Sequence, residues 1–158
     1  PLEERKLQSK KEFLDDIAVG LGGYVVEKNI FGDITTGPSN DLQVTTALAR
    51  DMVTKYGMSD KLGPIAFETL LGRIGNRGVH EEKEYSQKVG DAIDVEVSKI
   101  VTEAYKRAEE ILVKHRPALD AIAAKLIEVE TLEQEEYEKV IIAFGIMPKK
   151  KKDIEHQK

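Results

Sequence analysis

Two carboxylates stand out in a chain that otherwise carries little reactive chemistry. Asp41 follows the pair Gly37-Pro38 and the residues Ser39 and Asn40, and it opens a stretch of helical apolar periodicity. A carboxylate in a first helical turn offsets the exposed N–H dipoles, a contribution of roughly a few tenths of a kcal/mol. Behind a tight loop it is also fixed in direction, which suits a group that completes a site. Glu27 lies near the end of the preceding helical stretch, where the dipole disfavours negative charge. It needs a local partner or solvent. Residue physics alone leaves Asp41 as a helix-start acid.

Other reactive residue types are sparse. Zinc hydrolases place two His four apart on one helix face, with a Glu between them as base. The three His here are His80, His115 and His156, and none pairs at that spacing. His80 falls in a glycine-rich stretch, His115 at a helix end and His156 in a polar tail. Each reads as a solvated or helix-capping side chain. The chain has no Cys, which excludes disulfides and thiolate metal sites. It has no G-x-S-x-G elbow. The run from Gly72 to Gly78 lacks the G-K-[ST] of a phosphate loop and reads as a surface loop. No catalytic residue and no complete metal site can be assembled from these residues.

The 158 residues suit one domain with a sizeable core. Hydrophobic residues make up 41% and charged residues 34%, but aromatics only 6%, with no Trp. Packing must rest on Leu, Ile, Val and Ala, which favours helix-on-helix layers. The net charge of −5 leaves no footprint for nucleic acid, since the one basic run, Lys149 to Lys152, sits in the tail. No apolar stretch is long enough to cross a bilayer. There is no initiator Met and no signal-peptide pattern, and the opening Pro1-Leu2-Glu3-Glu4 reads as the start of an excised segment.

The elements that must position the two acids follow from periodicity. Ser9 and Glu12 form a capping-box pattern ahead of Phe13, Leu14, Ile17, Ala18 and Leu21. One helix over about 10–29 is expected, with its glycines on a face that another backbone approaches. A break at Gly22-Gly23 is the rival reading. Residues 31–38 read as a tight loop, and Ser39 and Asn40 as N-cap candidates. The next helix runs to about Tyr56, with Leu42, Thr45, Leu48, Ala49, Met52, Val53 and Tyr56 on its apolar face and Gly57 at C′. An irregular segment covers 58–85. A long helix from Ser86 to about His115 buries Ile93, Val97, Ile100, Val101, Ala104, Ala108, Ile111 and Leu112. Pro117 enters the first turn of a helix that buries Leu119, Ile122, Ala123, Leu126 and Ile127. A short helix begins around Thr131. The expectation is an all-α bundle of about five helices over 1–143, with a polar, basic, disordered tail over 144–158.

The run Thr35-Thr-Gly-Pro-Ser-Asn-Asp-Leu-Gln-Val-Thr-Thr-Ala-Leu-Ala-Arg-Asp-Met-Val53 resembles the STGASNDLxxATxxARxMV signature of FtsH-type ATP-dependent zinc metalloproteases. The likeness continues through Tyr56-Gly-Met-Ser59 and Lys61-Leu-Gly-Pro64. Upstream, Ile17 to Gly32 resembles the family's IAVxLGGRAAEExIFG helix, and in all the resemblance covers about residues 10–142. Two departures are Pro38, where the family has Ala, and a loose match over 68–85.

The resemblance implies a zinc endopeptidase that degrades unfolded membrane and soluble proteins. It implies homo-hexamers, an ATP-binding module and a membrane anchor, both outside these residues, with this part facing the cytoplasm or an organelle interior. By resemblance Asp41 is the third zinc ligand, beside two His of an HExxH helix that this sequence lacks. Ser39 and Asn40 shape its loop, and Glu27 is an acid near the metal. The segment alone is expected to be inactive and free of zinc, and to be marginally stable or self-associating. The alternative is a stand-alone helical adaptor or oligomerisation module, in which Asp41 only starts a helix. A complete hydrolase with another metal cluster fits three scattered His poorly.

Overall fold

A computed structural model describes residues 7–68 and 85–148. Among them are six α-helices and no strand: α1 (Lys10–Gly20), α2 (Gly22–Val26), α3 (Ser39–Thr54), α4 (Gln87–Lys114), α5 (Arg116–Val129) and α6 (Gln134–Ala143), with a π-helical turn over Glu27–Phe31. This is the all-α architecture that the apolar periodicity requires. Residues 58–68 form turns without helix or strand, as expected of an irregular segment. The rest of that segment, 69–84, and the tail from 149 lie outside the described residues.

The capping box forms. Ser9 Oγ accepts the Glu12 N–H at 3.2 Å and the Glu12 carboxylate accepts the Ser9 N–H at 2.7 Å. Two otherwise orphaned donors are thereby satisfied, worth about 1 kcal/mol. Helix α1 ends at Gly20, and Leu21 keeps a right-handed conformation with φ −80° and ψ −8°. The hydrogen-bond ladder crosses it, from Leu21 N–H to Ile17 and from Val25 N–H to Leu21, both at 3.0 Å. The expected single helix is thus interrupted at Leu21, one residue before the glycine pair, with these two hydrogen bonds bridging the interruption.

Of the three glycines in this helical stretch, close approach applies to Gly20 alone. A Cβ on Gly20 would stand 2.5 Å from the Thr45 methyl, whereas Gly22 and Gly23 face open space. The neighbour is a side chain of α3, not its backbone.

Helices α1 and α3 pack together. The core joins Phe13, Ile17 and Leu21 to Ala49, Met52 and Val53, with Ile93, Ile100 and Ala104 of α4. Phe13 also stacks on Tyr56, ring centres 5.5 Å apart. Gly57 takes φ +61°, and a Cβ there would come within 3.0 Å of the Pro64 Cα, so both backbone and space demand glycine.

The chain divides into two compact units between Glu110 and Ile111. In the second, α5 packs against α6, with Pro117 in the first turn of α5. Its burial differs from expectation. Ala118 and Ile141 are buried, Leu119 and Ile122 are half-buried, and Ala123, Leu126 and Ile127 are exposed, Ile127 at 85%. Ile111 on α4 and Tyr56 after α3 are exposed as well. Two short helices cannot cover the apolar stripe that periodicity assigns to α5.

Candidate functional site

Glu27 and Asp41 belong to two helical segments joined by the loop 32–38. The π-helical turn ends at Gly32, whose φ of +70° reverses the chain. Asp33 then caps locally, its carboxylate accepting the Ile34 N–H at 2.9 Å. Glu27 takes the next residue. Its two oxygens accept the Thr35 N–H at 2.7 Å and the Thr35 hydroxyl at 2.9 Å. The partner that Glu27 needs against the helix dipole is thus Thr35. The same hydroxyl accepts the Gly37 N–H at 3.0 Å.

Pro38 follows and is buried, which fixes the entry to α3. Its carbonyl accepts the Leu42 N–H at 2.9 Å, while the Ser39 N–H bonds back to Thr36 at 3.1 Å. Pro38 is consequently the N-cap, with no side-chain cap, and Ser39 and Asn40 are already helical. This corrects the N-cap expectation. The loop's own bonds do the work that a Ser or Asn cap would otherwise do.

Asp41 stands in the first turn of α3 and is exposed, as are Ser39 and Asn40. Its backbone carbonyl accepts the hydroxyl of the buried Thr45 at 2.8 Å. Among the described residues nothing donates to its carboxylate, which leaves both oxygens able to take a ligand. No group of three or more His, Cys, Asp or Glu that could hold a metal occurs among the described residues. His115 is the N-cap of α5, and His80 and His156 lie outside the described residues. A single carboxylate of this kind does not make a metal site without ligands from elsewhere.

Two further polar clusters had no role assigned from sequence. Arg50 of α3 donates to Glu68 at 3.0 Å and to the Tyr85 hydroxyl at 2.8 Å, and it pairs with Asp94 at 3.7 Å. Burial works to lower the guanidinium from its ordinary value. The hydrogen bond and charge of Glu68, with Tyr85 and Asp94 behind them, outweigh that and raise it. Ser59 and Glu96 are both buried, and the serine hydroxyl donates to the carboxylate at 2.6 Å. A signal for Glu96 exists: it lies three residues after Ile93 and four before Ile100, on the apolar stripe. Thr35 had only its place in the motif.

A sequence profile of peptidase family M41 matches residues 1–140. The chain is 43% identical over 156 residues to the ATP-dependent zinc metalloprotease FtsH of Bacillus subtilis, covering 95% of this chain and 24% of that protein. It is 46% identical over 140 residues to FtsH 1 of Sphaerobacter thermophilus, covering 87% and 21%. It is 45% identical over 146 residues to FtsH of Pseudothermotoga lettingae, covering 89% and 23%. The chain spans about a quarter of the length of these relatives. A family profile running through both helices of the Glu27–Asp41 loop and on into α6 leaves one conclusion: the chain belongs to peptidase family M41, the peptidase domain of FtsH-type proteases.

Proposed function

We propose that this chain is the C-terminal part of an ATP-dependent zinc metalloendopeptidase domain and that it contributes Asp41 as the carboxylate ligand of the zinc. The observation that carries this is the presentation of Asp41: an exposed first-turn carboxylate, behind a loop pinned by Glu27 and Thr35, whose oxygens are not used by the described residues. Ser39 and Asn40 form the turn that leads into it, and Glu27 holds the loop beneath. Bound zinc supplies a polarised water near neutral pH. The chain's own part is to hold Asp41 in a fixed direction.

The two imidazoles and the general-base Glu come from an HExxH segment that is not among these 158 residues. ATP is bound by another module, the protein works as a homo-hexamer tied to a membrane, and the substrates are unfolded membrane and soluble proteins. No helix among the described residues is long and apolar enough to cross a membrane.

Zinc content tests the assignment. In the zinc-loaded protein that contains this chain, Asp41→Asn is expected to remove the metal while circular dichroism keeps its helical signal. Zinc retained at the original affinity overturns the assignment. The chain alone, given zinc and casein, is expected to cleave nothing. Cleavage abolished by a chelator would show that it carries a complete site.

A further inference from the structure

We propose that Thr35 is a positioning residue for the Asp41 carboxylate, with its hydroxyl as the joint between Glu27 and the start of α3. The inference rests on Asp41 being the metal ligand, as proposed above. One hydroxyl here fills two roles, donating to Glu27 at 2.9 Å and accepting from the Gly37 N–H at 3.0 Å. A threonine hydroxyl has one donor and two acceptor positions, so both bonds can form at once. The Thr35 N–H adds a third bond, to the other Glu27 oxygen. Valine in the same space keeps the N–H bond and loses the two that pass through the hydroxyl.

Gly37 is shaped to this arrangement. A Cβ on it would meet the Thr35 Oγ1 at 3.2 Å and the Glu27 Oε1 at 3.3 Å. The hydroxyl and the carboxylate occupy the room a side chain would use, which holds the Gly37 backbone against them. Gly37 is joined to the buried Pro38, and the Pro38 carbonyl accepts the Leu42 N–H that opens α3. A shift of Gly37 therefore carries the turn that bears Asp41. A metal ligand must be held within about 0.5 Å of its working position. Loss of a partner that orients a ligand typically weakens metal binding by about 10–100-fold.

The test compares Thr35→Val, Thr35→Ser and Asp41→Asn in the zinc-loaded protein that contains this chain. Zinc affinity is read by competition with a chromophoric chelator, and helicity by circular dichroism. Thr35→Val is expected to weaken zinc binding about 10–100-fold with helicity unchanged. Thr35→Ser, which keeps the hydroxyl, is expected to restore binding to within about threefold. Equal losses in the valine and serine variants overturn the proposal, because the effect then belongs to the methyl group. Unchanged affinity in Thr35→Val, with zinc lost in Asp41→Asn, overturns it while leaving Asp41 as the ligand. Unchanged affinity in Asp41→Asn removes the ligand assignment itself. Thr35 is exposed, so its substitution spares the core. Should Thr35→Val lose helicity, Glu27→Gln weakens the same bonds from the other side and is read against the same limits.

Discussion

Replacing Ser59 with Ala isolates the energy of one buried polar contact. Ser59 is 4% and Glu96 7% exposed, and their bond is short, at 2.6 Å. The same hydroxyl accepts the Leu62 N–H at 3.2 Å. Hydrogen bonds to a charged group contribute about 1.5–3 kcal/mol, and a buried group left unsatisfied forfeits its hydration as well. Ser59→Ala should therefore cost about 2–3 kcal/mol. For a chain of this size that is roughly 5–10 °C in Tm. Urea unfolding is the assay, with the midpoint expected to fall and the m-value to stay the same. Ser59→Ala/Glu96→Leu supplies the control, since it leaves no unpaired buried carboxylate, only the Leu62 N–H that both variants lose from Ser59, and should recover at least about half of the loss. A single-variant cost below about 0.5 kcal/mol would refute the reasoning, because the carboxylate would then be finding water in place of serine.

Other substitutions probe the remaining contacts. Gly20→Ala forces a methyl against Thr45 and should cost about 1–3 kcal/mol despite the better helix propensity of Ala, with Gly20→Ala/Thr45→Ser recovering stability in the same unfolding assay. An increase in stability from Gly20→Ala alone would contradict the close approach. Arg50→Lys keeps the charge but cannot reach Glu68, Tyr85 and Asp94 together, and it should lower thermal stability by up to about 1 kcal/mol for this half-exposed group. Because the guanidinium is raised, its contribution is complete below the ordinary arginine range and is lost only above it. The Arg50→Lys difference should therefore be flat between about pH 6 and 9, a window far below the arginine range. Ser9→Ala removes the capping box and should cost about 1 kcal/mol, seen as faster amide exchange in the first turn of α1.

The helices were legible because their signals are local. Ser9 with Glu12 and Pro117 before a periodic run mark starts, and apolar spacing gave the extents of α3 and α4 nearly to the residue. Asp41 was placed correctly in a first turn for the same reason. What the sequence did not give was tertiary. Ser39 and Asn40 have the chemistry of N-caps, yet the loop bonds of Thr35, Thr36 and Pro38 start the helix one residue earlier. Gly20 and not Gly22 or Gly23 is the tight position, because that depends on where Thr45 stands on another helix. Leu126 and Ile127 have core chemistry and are exposed, since periodicity names a face without supplying what covers it. Glu96 shows the reverse, an acid on the apolar stripe whose partner comes from 37 residues upstream.

Pro38 sits at φ −75°, an angle the pyrrolidine ring imposes on any chain, folded or not. Part of the loop's order is therefore a property of the unfolded ensemble, which begins with fewer states to lose. Proline at a compatible position contributes about 0.4–1 kcal/mol in this way without making any contact. The residue that departs from the family's alanine thus makes the entry to α3 stiffer from the start, and its effect persists where the helices themselves fray.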